Sequence, residues 1–326
     1  MPKCDLVLEG GGVKGIGLVG AVQALEAAGH TFENLAGTSA GAIVAALLAA
    51  GYSGREIEEE LVRLDYRNFK QAEPLDRLGA PGQFMSMILH WGIYKADYFE
   101  QWLTKLLTHK GKTVFGDIRA AADGRTQRSW RLQAVASDIT DKTLLVLPRD
   151  LSRFGLDPDG FPIARAVRMS MSIPLFYEPC LLTDKDGVDH LIVDGGLLSN
   201  YPLWLLDDHV KAGKPVFGCK FSEGQGERAK DNIRQGHLIS FVGALVSTAL
   251  DAHDNYHIST TKGDYDRSIL IPTDVTANGK TVAVSATDFN ISRAVSMGLL
   301  ENGRHAAETF LAKWDFSRCK TQFQGW

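Results

Sequence analysis

Long hydrophobic runs are missing from this chain. No stretch of about 18 apolar residues occurs in its 326 positions, so no transmembrane helix is expected. The N-terminal apolar run is short, and Gly10, Gly11, Gly12 and Lys14 interrupt it. A secretory signal needs a longer apolar stretch and a small-residue cleavage site. Together these absences point to a cytosolic protein, or to one exported by a route that leaves no such signal. Cysteine is scarce. Cys4, Cys180, Cys219 and Cys319 lie too far apart for a CxxC or zinc pattern, so no metal site is expected. With 44% apolar residues the chain can bury a large core without disulfide staples, which leaves four free thiols in a reducing compartment. Neither sign of charge dominates. The net charge of −4 gives no reason to expect nucleic acid as a partner. Repeats, low-complexity segments and linker-like stretches are absent too, so residues 1–326 read as one domain.

What is present is an alternation of strand and helix. Leu6-Val7-Leu8 is a short buried strand that Gly10 to Gly12 break. Ile16 to Ala28 carry apolar residues at helical spacing, and Gly29 closes that helix. Phe32 to Ala36 are extended and end at Gly37. Ala42 to Ala50 form a helix apolar all round, as a buried helix is. Ser53-Gly54-Arg55-Glu56 is a capping box that opens a further helix to about Leu64. Helices are also expected over Asp97–Leu107, Pro162–Met171, His237–Leu250 and Ser292–Leu311. Strands are expected over Trp130–Ala136, Leu144–Leu147, Leu191–Val193, Val216–Phe221 and Ser268–Ile271. This pattern argues for an α/β sheet with helices on both faces.

Gly37-Thr38-Ser39-Ala40-Gly41 fits G-x-S-x-G. In that pattern a serine sits on a sharp turn between strand and helix, and small flanking residues let the two elements approach. The helix N-terminus favours negative charge developing at Ser39. Gly10-Gly11-Gly12-Val13-Lys14-Gly15 follows the first strand and frees backbone N–H groups for an anion. That anion is either a nucleotide phosphate, as in G-x-G-x-x-G, or the oxyanion of an acyl-transfer reaction. The nucleotide reading wants an acidic residue at the end of the second strand, where Gly37-Thr38-Ser39 stands instead. A nucleophilic serine needs a base. None of the nine histidines sits in a motif; His190, in a polar stretch, reads as a solvated loop residue. Asp194 closes an apolar strand and precedes Gly195 and Gly196. Strand ends are where α/β sheets place their sites, though an Asx-turn is an alternative use of Asp-Gly.

Three runs in this order, Gly10 to Gly15, Gly37 to Gly41 and Asp194-Gly195-Gly196, resemble the signature of the patatin-like phospholipases. Arg165 to Pro174, with its Ser170-Met171-Ser172-Ile173-Pro174 end, and Val193 to Pro202 resemble further stretches of that family. The resemblance covers about residues 5–220, with residues 225–326 as the C-terminal part of the same domain. It implies a three-layer α/β/α fold with a mainly parallel central sheet. It also implies a Ser39–Asp194 dyad without histidine and an oxyanion hole from the loop of Gly10, Gly11, Gly12, Val13, Lys14 and Gly15. The reaction implied is hydrolysis of acyl esters of lipids through an acyl-enzyme, without a cofactor. Lys14 stands where many members have arginine, which keeps the charge and loses the bidentate fork. A carboxylate is a weak base unless burial raises its pKa, and the apolar strand before Asp194 fits such burial. An acyltransferase would use the same dyad. A phosphate- or nucleotide-binding module built on the first glycine loop is the reading from a different class. A lipid or phospholipid substrate implies peripheral membrane contact. Residues 70–110 then read as an insertion for a lid or acyl chain, with Phe84, Met85, Met87 and Trp91 as its contacts, or else as ordinary core. Arg149 and Arg153 flank a loop where a head group could lie.

Overall fold

The computed structural model describes residues 2–64, 71–72, 91–119, 130–222, 264–277, 280–286, 288 and 291–317. Eight strands of these form the central sheet: β1 Lys3–Leu8, β2 Thr31–Thr38, β3 Leu132–Asp138, β4 Thr143–Leu147, β5 Cys180–Thr183, β6 Asp189–Asp194, β7 Val216–Ser222 and β8 Ser268–Pro272. Neighbours run β8-β7-β1-β2-β3-β6-β5, with β4 also paired to β3. From β8 to β3 the pairings are parallel; β4, β6 and β5 add antiparallel pairings. Only the first residue of β1 is exposed, as expected of a parallel strand covered on both faces.

Among the described residues, six helices of eight or more residues pack around the sheet: α1 Ile16–Ala27, α2 Ala40–Ala49, α3 Gly54–Arg63, α4 Asp97–His109, α5 Ile163–Ser170 and α6 Arg293–Leu311. The apolar α2 is buried almost all round against β1, β2 and β3. The capping box at α3 is formed: Glu56 N–H donates to Ser53 Oγ, and Ser53 N–H donates to Glu56 Oε2 at 2.8 Å. α6 packs along α1, so the C-terminal part of the chain is built against the N-terminal part. The expected 237–250 helix lies outside the described residues.

α4 buries Phe99, Leu103, Leu106 and Leu107 and packs on α5. One face of the helical half of the 70–110 segment thus belongs to the hydrophobic core. Two short sheets were not foreseen. Gly92–Lys95 pairs with Gln71–Ala72 and with Leu175–Tyr177, and Asp274–Ala277 forms a hairpin with Lys280–Ala283. Strands of two to four residues are too short to show a period.

Register decides where the motifs meet. β4 pairs with Ala134 to Asp138 and so takes one edge of β3. β2 pairs with Leu132 to Val135, and β6 with Ala136 to Asp138. Both overlap the span of β4, so both lie on the other edge. β2 runs parallel to β3 and β6 runs antiparallel, so their C-terminal ends meet head-on. Thr38 faces Val135, and Asp194 faces the next residue, Ala136.

Candidate active site

Ser39 stands where β2 turns into α2, with φ 52° and ψ −121°. A non-glycine residue there is strained by about 1–3 kcal/mol and persists only where its surroundings hold it. Ser39 N–H donates to Ser170 Oγ at 3.0 Å, and Thr38 Oγ1 donates to the carbonyl of Ser199 at 2.9 Å. A Cβ at Gly37 would meet the backbone of Gly41, and one at Gly41 would run into the carbonyl oxygens of Leu8 and Glu9. The glycines of the motif are thus a packing demand. Gly41→Ala is expected to destabilise the fold by several kcal/mol, since backbone cannot step aside as a side chain can. A thermal melt within a few degrees of wild type would contradict this.

Asp194 ends β6 and is 2% exposed. Its Oδ1 accepts the Gly196 N–H at 2.7 Å. Its Oδ2 is buried and meets no hydrogen-bond donor of normal geometry, although the Ser39 hydroxyl is near enough to favour the charged carboxylate. Burial pushes its pKa up from 3.8 to about 7, against the pull of the Gly196 N–H and the Ser39 hydroxyl. A Cβ at Gly195 would strike the carbonyl oxygen of Val135, which explains the first glycine of Asp-Gly-Gly.

The first glycine loop lies against this pair. A Cβ on Gly10 would be 3.2 Å from Ser39 Cβ. Not every amide of the loop is available to an anion. Gly10 N–H donates to Asn200 O at 3.0 Å, Val13 N–H to Ala286 O at 3.0 Å, and Lys14 N–H to Gly11 O at 3.1 Å. The N–H groups of Gly11, Gly12 and Ala40 have no acceptor among the described residues. Gly12 has φ +54°, which glycine adopts freely. Asn200 Nδ2 also donates to Gly10 O at 3.2 Å, tying the loop to the segment after Asp194. Lys14 is half-buried with its ammonium 5.1 Å from the centre of the Phe221 ring. Gly15 is buried beside Ala40.

His190 is not a solvated loop residue. It lies in β6 at 5% exposure, with Nδ1 2.8 Å from Asp138 Oδ2 and Nε2 3.5 Å from Asp184 Oδ2. The strand begins two residues earlier than expected, so the alternation that buries Ile192 also buries His190. It sits four residues before Asp194, about 13 Å away along the strand, too far to serve Ser39. Burial opposes its charge, but the hydrogen bond and charge of Asp138 outweigh this and raise its pKa above 6.5. A pKa raised in the fold stabilises fully below the unfolded value and loses that contribution as pH climbs through the folded one. The melting-temperature deficit of His190→Gln is therefore expected to be largest in mild acid and to shrink toward alkaline pH. A deficit that grows with pH would contradict it.

Asp138, Asp141 and His190 are also the one group of donor atoms among the described residues spaced to take a cation, within 4.8 Å of one another. Asp138 Oδ1 already accepts the N–H groups of Thr140 and Asp141, which makes the cluster a lock on that turn. Arg149 pairs with Asp150, and Arg153 lies 3.7 Å from Asp141, so both guanidiniums have local partners. Trp91 is 56% exposed, whereas Phe84, Met85 and Met87 lie outside the described residues. Ser170 and Asn200 lie in the two further stretches that resemble the family; the structure gives Ser170 a bond to the backbone of Ser39 and Asn200 two to the backbone of Gly10.

The comparisons with known proteins agree with this architecture. The family model for patatin-like phospholipases matches residues 6–207. The uncharacterized protein YqhO of Bacillus subtilis is 41% identical over 317 residues, which is 96% of this chain and 99% of that protein. An uncharacterized protein of Acanthamoeba polyphaga mimivirus is 26% identical over 276 residues, 82% of each. Among solved structures, VipD from Legionella pneumophila matches with a TM-score of 0.54 at 19% identity, over 96% of this chain and 67% of that one. The type III effector protein ExoU matches with a TM-score of 0.50 at 16% identity, over 98% of this chain. This chain spans about half of the ExoU chain, 54%. At such identities the two structures speak for the fold, whereas the family model, matched over more than half of the chain, shows the kinship: the chain belongs to the patatin-like phospholipase family.

Proposed function

We propose that the protein is a lipid acyl hydrolase of the phospholipase A or lysophospholipase kind. In this reading Ser39 is the nucleophile and Asp194 its base. The observation that carries it is the buried carboxylate of Asp194, with Oδ2 open and its strand meeting the strand of Ser39 end to end. Asp194 takes the proton from Ser39 Oγ as it attacks the ester carbonyl. The N–H groups of Gly11, Gly12 and Ala40 hold the oxyanion, aided by the N-terminus of α2. The tetrahedral intermediate collapses to an acyl-Ser39 ester, and the proton passes from Asp194 to the departing alcohol. Water, deprotonated by Asp194, then releases the fatty acid and restores the serine.

A base must be ionised to act, so the raised pKa of Asp194 sets the pH response. kcat/KM for ester hydrolysis is expected to rise with pH and to reach half its plateau near pH 7. A profile already flat above about pH 5, where an ordinary carboxylate is ionised, would contradict the buried base. No helix among the described residues is long and apolar enough to cross a membrane. In this reading lipid is met at the bilayer surface, with exposed Trp91, midway along the 70–110 segment, as a contact. The test is fatty-acid release from phospholipids, lysophospholipids and neutral glycerides by the wild-type protein. Release from none of the three classes would refute the reading.

A further inference from the structure

One fully buried serine touches both of the segments that carry the reacting side chains, one through its hydroxyl and the other through its carbonyl. Ser170 ends α5. Its Oγ donates to the carbonyl of Val135 at 2.6 Å, which commits its only proton. The remaining lone pairs accept Ser39 N–H at 3.0 Å. The Ser170 carbonyl accepts Gly195 N–H at 3.2 Å, and the Ser172 carbonyl accepts Asp194 N–H at 2.8 Å. Nucleophile and base thus hang from one short turn, and β3 holds that turn through Val135. The turn is braced in its own right. Ser172 Oγ donates to the carbonyl of Arg168 at 2.6 Å, and the buried Arg168 guanidinium donates to Ser172 Oγ and to the carbonyl of Glu178.

We infer that Ser170 is a positioning residue: its hydroxyl fixes the strained turn at Ser39 in register with Asp194. The inference rests on the Ser39–Asp194 reading above. The physical argument has two parts. Ser39 has a positive φ that relaxes unless its surroundings forbid it, and the hydrogen bond to its own N–H is the contact closest to that torsion. Relaxation would swing Oγ away from Asp194, and a misplacement of about 1 Å can lower a rate by 10²-fold. The same bond occupies the Ser39 amide, which leaves oxyanion binding to the amides of Gly11, Gly12 and Ala40.

The test compares side chains that differ in the hydroxyl. kcat and KM for fatty-acid release are measured for Ser170→Ala, Ser170→Thr and Ser170→Val, with thermal melts alongside and Ser39→Ala as reference. Threonine and valine have the same shape, so a merely structural residue would give them the same kcat. Expected for Ser170→Ala and Ser170→Val is a kcat lower by about 10- to 100-fold with KM within about twofold. Expected for Ser170→Thr is a kcat within about threefold of wild type. Should the bulkier variants not fold, Ser170→Cys decides, because a thiol is nearly the same size and a weak acceptor; a kcat lower by about fivefold or more is expected. Equal kcat for Thr and Val, or a wild-type kcat for Ala or Cys, overturns the inference, and the dyad stands if Ser39→Ala is inactive. Activity retained in Ser39→Ala overturns the dyad itself.

Discussion

Ser39→Ala is expected to lower fatty-acid release by about 10⁴-fold or more, the scale of removing a catalytic serine from other hydrolases. The argument for so large an effect is geometric. Ser39 is held at φ 52° at the N-terminus of a buried helix, with an open carboxylate oxygen at the end of the facing strand. His190 cannot share the work, since its ring is spent on Asp138 and Asp184. The loss should be one of chemistry and not of folding. The bond to Ser170 comes from the Ser39 backbone, and the Thr38 and glycine contacts stay in place. Steady-state kinetics should show kcat collapsing while the thermal melt stays near wild type. A variant that melts normally and retains even about a tenth of the activity would rule out Ser39 as nucleophile.

Asp194→Asn is expected to move activity and stability in opposite directions. Activity should fall by about 10³- to 10⁴-fold, because an amide cannot accept the Ser39 proton. Stability at pH 8 should rise. The carboxyl has a pKa of about 7 in the fold against 3.8 as an ordinary aspartate. Between those values the unfolded chain has lost the proton and the fold still holds it, so stability falls as pH rises across the window. Above pH 7 the burden is complete, and the shift of about three units corresponds to up to about 4 kcal/mol. Asparagine keeps the acceptor for Gly196 N–H and removes the buried charge. Its melting temperature should exceed that of wild type at pH 8, with the gap closing below about pH 4. A fall in melting temperature at pH 8 would mean that the charge is compensated in the fold. A site kept at the expense of stability is a mark of function.

Much of this was legible in the sequence, for reasons that particular residues make clear. Gly37, Gly41 and Gly195 are where backbone meets backbone, so the turns that hold Ser39 and Asp194 announce themselves through their glycines. The apolar α2 and the capped α3 follow from composition and spacing alone. Pairing over long separations is another matter. That β2 and β6 share one edge of β3 cannot be read locally, yet it is what sets Asp194 beside Ser39. The same limit hid the availability of the loop amides. Val13 N–H is taken by Ala286, and Gly10 N–H by Asn200, both distant in sequence. His190 was misread because its burial depends on where β6 begins and on what faces it, not on its polar neighbours in the chain. Ser170 was visible only as one serine of a repeated Ser-x-Ser run, and its partners Ser39, Val135 and Gly195 come from three other segments.

The most direct test of the central claim is covalent. The native protein is treated with a fluorophosphonate at pH 8, digested, and mapped by mass spectrometry. The expected result is one phosphonyl group on Ser39, formed at a rate that falls as pH drops below about 7 and absent from Ser39→Ala. A label on another residue, or none on folded protein, would contradict Ser39 as an activated nucleophile.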